Sequence, residues 1–193
     1  MSVARTASVM KVSRSQLLII DVQERLVPAM SEPDIVVSAC AFLGQAADLC
    51  SVPVVITEQY PKGLGHTMPD VLAACSKPAV VTKTAFSAVR EAKIITKLRK
   101  KRNDQRRDQI VLCGVEAHVC VLQSALELVA IGFEVFVVAD AVSSRHLGSR
   151  DVALSRMAHA GVIPVTSEMV AFEWVGDAKA KPFKPISALV RER

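Results

Sequence analysis

The stretch from Ile110 to Val142, IVLCGVEAHVCVLQSALELVAIGFEVFVVADAV, decides how this chain folds. Ile110 to Val115 reads as a β-strand, and Ala117 to Ile131 as a helix. Gly132, the residue type favoured just past a helix end, stops that helix. Glu134 to Ala139 is a second strand. Strands joined through a helix run parallel, with a right-handed crossover.

The same alternation extends in both directions. Upstream, Leu17 to Val22 is a continuous apolar run, as in a strand buried on both faces rather than half-exposed. Ser31-Glu32-Pro33-Asp34 has the form of a helix start: a Ser cap, Pro in the first turn, and an acid three residues after the cap. Val36, Cys40, Leu43, Ala47 and Cys50 then recur at helical spacing and make one apolar stripe. Pro53 to Thr57 and Ala79 to Lys83 read as strands and Ala88 to Lys101 as a helix. Downstream, Ser149 to Ala160 is a helix ended by a Gly, and Val162 to Thr166 is a last strand. Such a series predicts an α/β/α sandwich, a parallel sheet with helices on both faces. Ligands of such sheets bind beyond the carboxyl ends of the strands, so the chemistry is to be sought there.

Composition agrees with this architecture. The 193 residues suit one domain, with no repeat or linker, and we place a basic tail at 1–14, the folded domain at 15–185 and a C-terminal tail at 186–193. With 51% hydrophobic and 22% charged residues, the chain is not mainly disordered. Its apolar runs are far shorter than the roughly 20 residues of a membrane-spanning helix, so no membrane insertion is expected. Aromatic residues are only 4%, which favours an aliphatic core over a base-stacking surface. Five scattered cysteines, without C-x-x-C spacing, point to a reducing compartment rather than a disulfide framework.

Three predicted strands lead to reactive side chains. Asp21 closes the first, Lys83 closes the third, and Cys120 lies in the first turn of the helix after Ile110 to Val115. Singly, each has an ordinary explanation: a turn carboxylate, a solvated ammonium, a small core thiol. Together, at one edge of one sheet, they form a coherent chemical set. A helix N-terminus and a nearby ammonium both favour a thiolate. Asp21 is placed to accept the thiol proton and return it to a leaving group, while Lys83 holds Asp21 ionised and stabilises negative charge on the substrate. Backbone N–H groups at the helix start are suited to an oxyanion hole. The expected chemistry is acyl transfer through a thioester.

The segments LLIIDVQ, TEQYPKGLG, VVTKTAFSA, VLCGVEAHVCVLQSALEL and VFVVADAVSSR resemble the isochorismatase-like (cysteine) hydrolases, in order and spacing, over roughly residues 15–185. The resemblance is strongest to the eukaryotic isochorismatase-domain-containing branch, and GVEAHVC is its most specific motif. It implies a six-stranded parallel sheet and an Asp–Lys–Cys triad, whose roles fall on Asp21, Lys83 and Cys120. A non-proline cis peptide, here Val115–Glu116, is implied as well. It would aim the Glu116 N–H, beside that of Cys120, into the oxyanion hole.

Two positions choose among the reactions of the superfamily. Nicotinamidases carry an Asp-x-His metal pair where this chain has Glu58-Gln59-Tyr60, and tyrosine is a poor substitute for an imidazole ligand. His66 with Glu58 makes a weak site, so we expect no metal and no cofactor. True isochorismatases often have Gly at the position of Cys120, so the thiol here points to nucleophilic chemistry on a small amide or related C–N bond. Substrate contacts are expected from Gln23, Tyr60, Phe86 and His118, with Tyr60 and Phe86 stacking on a planar group. Gln23 could instead hold the loop, and the two rings could pack beneath it. In DAVSSR, Asp140 and Arg145 are expected to fix a loop or a subunit contact.

The net charge is +5, and much of the excess lies in KLRKKRNDQRR, Lys97 to Arg107. A solvated helix end explains it most simply. The alternative function is a nucleic-acid-associated protein or ribonuclease working through that cluster, although no aromatic interleaving or acidic metal cluster supports it. The expected location is cytoplasmic; a mitochondrial leader is the alternative, from Arg5, Lys11 and Arg14 with no acid before Asp21. A homo-oligomer, dimer or tetramer, is implied by the resemblance.

Overall fold

The structure is a computed structural model and describes residues 9–192. The possible leader falls mostly on residues 1–8, outside the described region. Six parallel strands form one sheet in the order β3-β2-β1-β4-β5-β6. They are β1 (Ser15–Ile20), β2 (Val54–Gln59), β3 (Ala79–Lys83), β4 (Gln109–Val115), β5 (Glu134–Ser143) and β6 (Ile163–Val165). The helices are α1 (Pro33–Leu49), α2 (Pro61–Leu64), α3 (Pro69–Ala73), α4 (Ala92–Gln105), α5 (Leu122–Ala130), α6 (Leu147–His159), α7 (Ser167–Val175) and α8 (Phe183–Arg191). The predicted α/β fold with a six-stranded parallel sheet is therefore present.

Strand periodicity divides the core into two layers. Leu17 and Ile19 of β1 pack with α1 and α7, whereas Leu18 and Ile20 pack with α4, α5 and α6. Val36, Cys40, Leu43 and Ala47 of α1 are all buried, as the helical stripe predicts. Burial of a side chain the size of Val36 or Leu43 contributes roughly 1.5–3 kcal/mol relative to exposure.

Four local expectations change. Ser31 is not the cap of α1; Glu32 occupies that position without a side-chain hydrogen bond, and Ser31 instead donates from its N–H to Ser144 O and from its hydroxyl to Arg145 O. β5 continues to Ser143, so Asp140 sits inside the strand, where it accepts from the N–H and hydroxyl of Ser167 at the start of α7. The boundary placed at residue 185 falls inside α8, which buries Ile186, so residues 186–191 are helix rather than tail. At the other end, Met10 is buried ahead of β1, so the packed region begins before residue 15.

The chain runs outward from β1 through β2 to β3, then returns to β4 and proceeds through β5 to β6. The direction reverses between β1 and β4, and a crevice opens at the carboxyl ends of two such strands. Here β4 carries Gly114 at φ +113°, and a Cβ at that position would lie 2.1 Å from Ile20 O. Only glycine permits β1 and β4 to approach this closely beside the crevice.

Candidate active site

Asp21 follows β1 directly and turns into the left-handed region at φ +51°, which Asp tolerates better than most residues. Its N–H donates to Thr57 O at 3.1 Å, and Thr57 Oγ1 donates to its Oδ1 at 2.6 Å. The register pairs Ile20 with Thr57, which places that hydroxyl beside the carboxylate.

Lys83 is the last residue of β3 and points to the same spot. Its Nζ lies 2.6 Å from Asp21 Oδ2, and both side chains have no solvent exposure. Nζ also donates to Gln59 Oε1 (2.7 Å), Phe86 O (3.1 Å), Ala85 O (3.2 Å) and Cys120 Sγ (3.6 Å). Two buried charges are tolerable only when paired and hydrogen-bonded, as these are.

Cys120 does not begin an ordinary α-helix. Ala117–Val121 form a π-helical turn, closed by Val121 N–H to Glu116 O at 3.2 Å, and α5 starts only at Leu122. π-Turns are frequent at functional sites. The peptide bond Val115–Glu116 at its entrance is cis. Burial, above all, and the Asp21 charge push the Cys120 thiol up to about 12, while Lys83 pulls it down. The helix end and the ammonium, which favour a thiolate, are opposed here by desolvation and a carboxylate. Cys120 rests as a thiol.

The three residues predicted from separate strand ends thus converge. The four expected substrate contacts divide. Gln23 is fully buried; its Nε2 donates to Gln59 O (3.0 Å) and Gly65 O (2.7 Å), and its Oε1 accepts from Gln59 N (2.7 Å). That amide is committed to backbone, so Gln23 clasps the loop. Tyr60 and Phe86, 56% and 55% exposed, stand on the loops after the neighbouring strands β2 and β3 rather than packing beneath them. His118 is half-buried, with Nδ1 3.0 Å from Ser144 Oγ. Arg145 reaches Glu116 Oε1 at 3.2 Å.

At the position compared with a metal site, Glu58 Oε1 accepts from the Thr67 N–H and hydroxyl, and Oε2 lies 3.3 Å from His66 Nδ1. Among the described residues no group of three His, Cys, Asp or Glu is gathered as a metal cage.

Thr57 and Gln59 escaped the sequence reading although both touch the central pair. They are two apart on one strand and so share a face. The parallel register, Ile20 with Thr57 and Gln59 with Lys83, is the signal that would have found them.

Residues 15–169 match the Isochorismatase domain family. The chain belongs to the isochorismatase family. This isochorismatase domain is 43% identical over 176 residues to isochorismatase domain-containing protein 2 of Danio rerio, spanning 91% of this chain and 86% of the relative. Among solved structures it resembles the MAR1 ribonuclease of Caenorhabditis elegans, with a TM-score of 0.89, 34% identity, and 95% and 93% of the two chains covered. YcaC of Pseudomonas aeruginosa, in a structure with hexane-2,5-diol and covalent acrylamide, shares the fold at a TM-score of 0.87 and 22% identity, with 98% and 97% covered. No helix among the described residues of this family member is long and apolar enough to cross a membrane.

Proposed function

We propose that the protein is a cysteine hydrolase acting on a small amide or related C–N bond, with Asp21, Lys83 and Cys120 as its catalytic residues. One observation carries the reading: an ammonium 2.6 Å from a carboxylate and 3.6 Å from a thiol, all withdrawn from solvent. Because the thiol rests protonated, Asp21 takes its proton as sulfur attacks the carbonyl carbon. The new S–C bond makes a tetrahedral oxyanion, received by the N–H groups of Glu116 and Cys120. Lys83 balances the negative charge that travels through the site. The C–N bond then breaks, and the departing nitrogen takes the proton from Asp21. Water, deprotonated by Asp21, next attacks the thioester; the acid leaves and the proton returns to sulfur. Tyr60, Phe86 and His118 would border the substrate at the rim.

Incubation with acrylamide, the covalent group in the Pseudomonas structure, should add one equivalent at Cys120 by mass spectrometry. A panel of small amides, with Cys120→Ser as the matched blank, should identify substrates. Undiminished turnover of such a substrate by Cys120→Ala would overturn the covalent mechanism.

RNA cleavage is a second reading, favoured by the name of the Caenorhabditis relative. The basic cluster is a weak support for it. Arg102 stacks on Phe133 and donates to Ile131 O, and Arg107 donates to Val12 O and Ser15 O, so both serve the fold. The cluster runs toward the end of α4 that enters β4, opposite the mouth holding Cys120. RNA cleavage that disappears in Cys120→Ala and Asp21→Asn would establish this reading; salt-sensitive binding alone would show only electrostatic affinity. A homo-oligomer accompanies either reading, through exposed Ile35, Met169 and Phe172 on α1 and α7. Sedimentation would measure it.

A further inference from the structure

We infer that Gln59 is a positioning residue for this chemistry: its side-chain amide seats the Lys83 ammonium between Asp21 and Cys120 and ties it to the loop that carries Phe86. The inference rests on the proposed roles of the three catalytic residues and adds a fourth group to them.

The hydrogen bonds close a ring. Gln59 Oε1 accepts from Lys83 Nζ at 2.7 Å, and Gln59 Nε2 donates to Thr84 O at 2.7 Å. Two residues on, Phe86 O accepts from the same Nζ at 3.1 Å. Around Nζ every partner is an acceptor: one carboxylate oxygen, one amide oxygen, two backbone carbonyls and one sulfur. Gln59 is itself immobilised, because Gln23 grips both its N–H and its C=O. A long flexible ammonium is thereby given one address, and the backbone beneath the Phe86 ring is fixed by the same contacts.

The amide is suited to this place because it accepts without carrying charge. A carboxylate at position 59 would divide the ammonium between two anions and oppose a developing charge on sulfur. An apolar side chain would release the ammonium from β2 and leave its three N–H groups to divide among the other four acceptors. The charged and titratable groups facing the trio are few. Asp21 comes from the end of β1, Lys83 from β3 and Cys120 from the π-turn. Farther out, Glu91 accepts from Thr84 N–H at 3.0 Å, Glu127 is paired with Arg90, Glu116 with Arg145, and His118 is bonded to Ser144.

The test measures alkylation of Cys120 by iodoacetamide, followed at the Cys120 peptide across about pH 6 to 10. Wild type, Gln59→Glu, Gln59→Leu and a Cys120→Ala blank are compared, together with their melting temperatures. Gln59→Glu keeps the length and the acceptor for Lys83 but loses the donor to Thr84 O, so its melting temperature should fall by a few degrees at most. Its alkylation profile should move to higher pH, lowering the rate at a fixed neutral pH about tenfold, the equivalent of one pKa unit. Gln59→Leu should move the profile in the same direction. If Gln59→Glu stays folded and its profile coincides with wild type, Gln59 has no positioning role and the inference fails alone. Unchanged turnover in Cys120→Ala would instead remove the parent mechanism, and this inference with it.

Discussion

Two polar networks lie at opposite ends of the same sheet. At the amino ends of the strands, Arg14 forks onto Asp108 at 2.8 Å and touches Glu134 at 3.3 Å, while Gln109 Nε2 donates to Glu134 Oε2 at 2.8 Å. The Arg14 and Asp108 side chains remain about a third exposed (34% and 35%). At the carboxyl ends, Asp21 and Lys83 are equally close but wholly dry. Water shares the load of the first network and offers nothing to the second. The exposed set fastens chain segments. The buried set costs desolvation, which a fold retains when charge has to act on something inside.

Substitutions test this contrast directly. The largest effect should come from Asp21→Asn, which keeps the shape but removes the proton acceptor; turnover of any amide substrate should fall about a hundred- to ten-thousand-fold, measured as kcat/KM. Lys83→Met should follow, because it leaves Asp21 buried without its cation. Chemical denaturation should show a loss of about 3–5 kcal/mol, and adding Asp21→Asn should recover part of it. Next comes alkaline pH. Cys120 and Cys75 are both pushed up to about 12, chiefly by burial. The unfolded thiol loses its proton near 9 while the folded one keeps it, so the folded state binds more protons and stability falls as pH rises from 9 towards 12. Melting scans across that window should show the decline, at most about 1.4 kcal/mol per pH unit for each thiol, and Cys75→Ala should make it shallower. Smallest of all is Arg14→Met, about 1 kcal/mol or less at neutral pH. Arg14 holds the Asp108 carboxyl below its usual range. That stabilisation exists above the ordinary carboxylate value and disappears as pH falls through the lowered one, so wild type and Arg14→Met should converge in acid.

The fold was legible because the strands are unbroken apolar runs and the helices carry stripes, as Val36, Cys40 and Leu43 illustrate. Boundaries were less so. The run Leu17 to Val22 suggested a strand through Asp21, whereas β1 ends at Ile20 because Asp21 leaves extended geometry to meet Thr57. The short helices α2 and α3 are too brief and α7 too evenly apolar to stand out, whereas α8 carries a marked amphipathic pattern that the reading passed over. In the site, the convergence of Asp21, Lys83 and Cys120 followed from topology alone. The state of the sulfur did not, since desolvation depends on everything that surrounds it. Gln23 stayed open between two roles for a related reason: a polar residue near a strand end has the same appearance in sequence whether it greets a ligand or grips a neighbouring strand, as Gln23 grips Gln59.

The missing Cβ of Gly114 has a consequence for how such a site can change over time. The acid hangs from the strand that this glycine touches, and the thiol from the turn that follows it. Their spacing is consequently gauged by main chain against main chain, which side-chain replacement cannot stretch. Rim residues can be rewritten to admit new molecules while the reactive gap keeps its width.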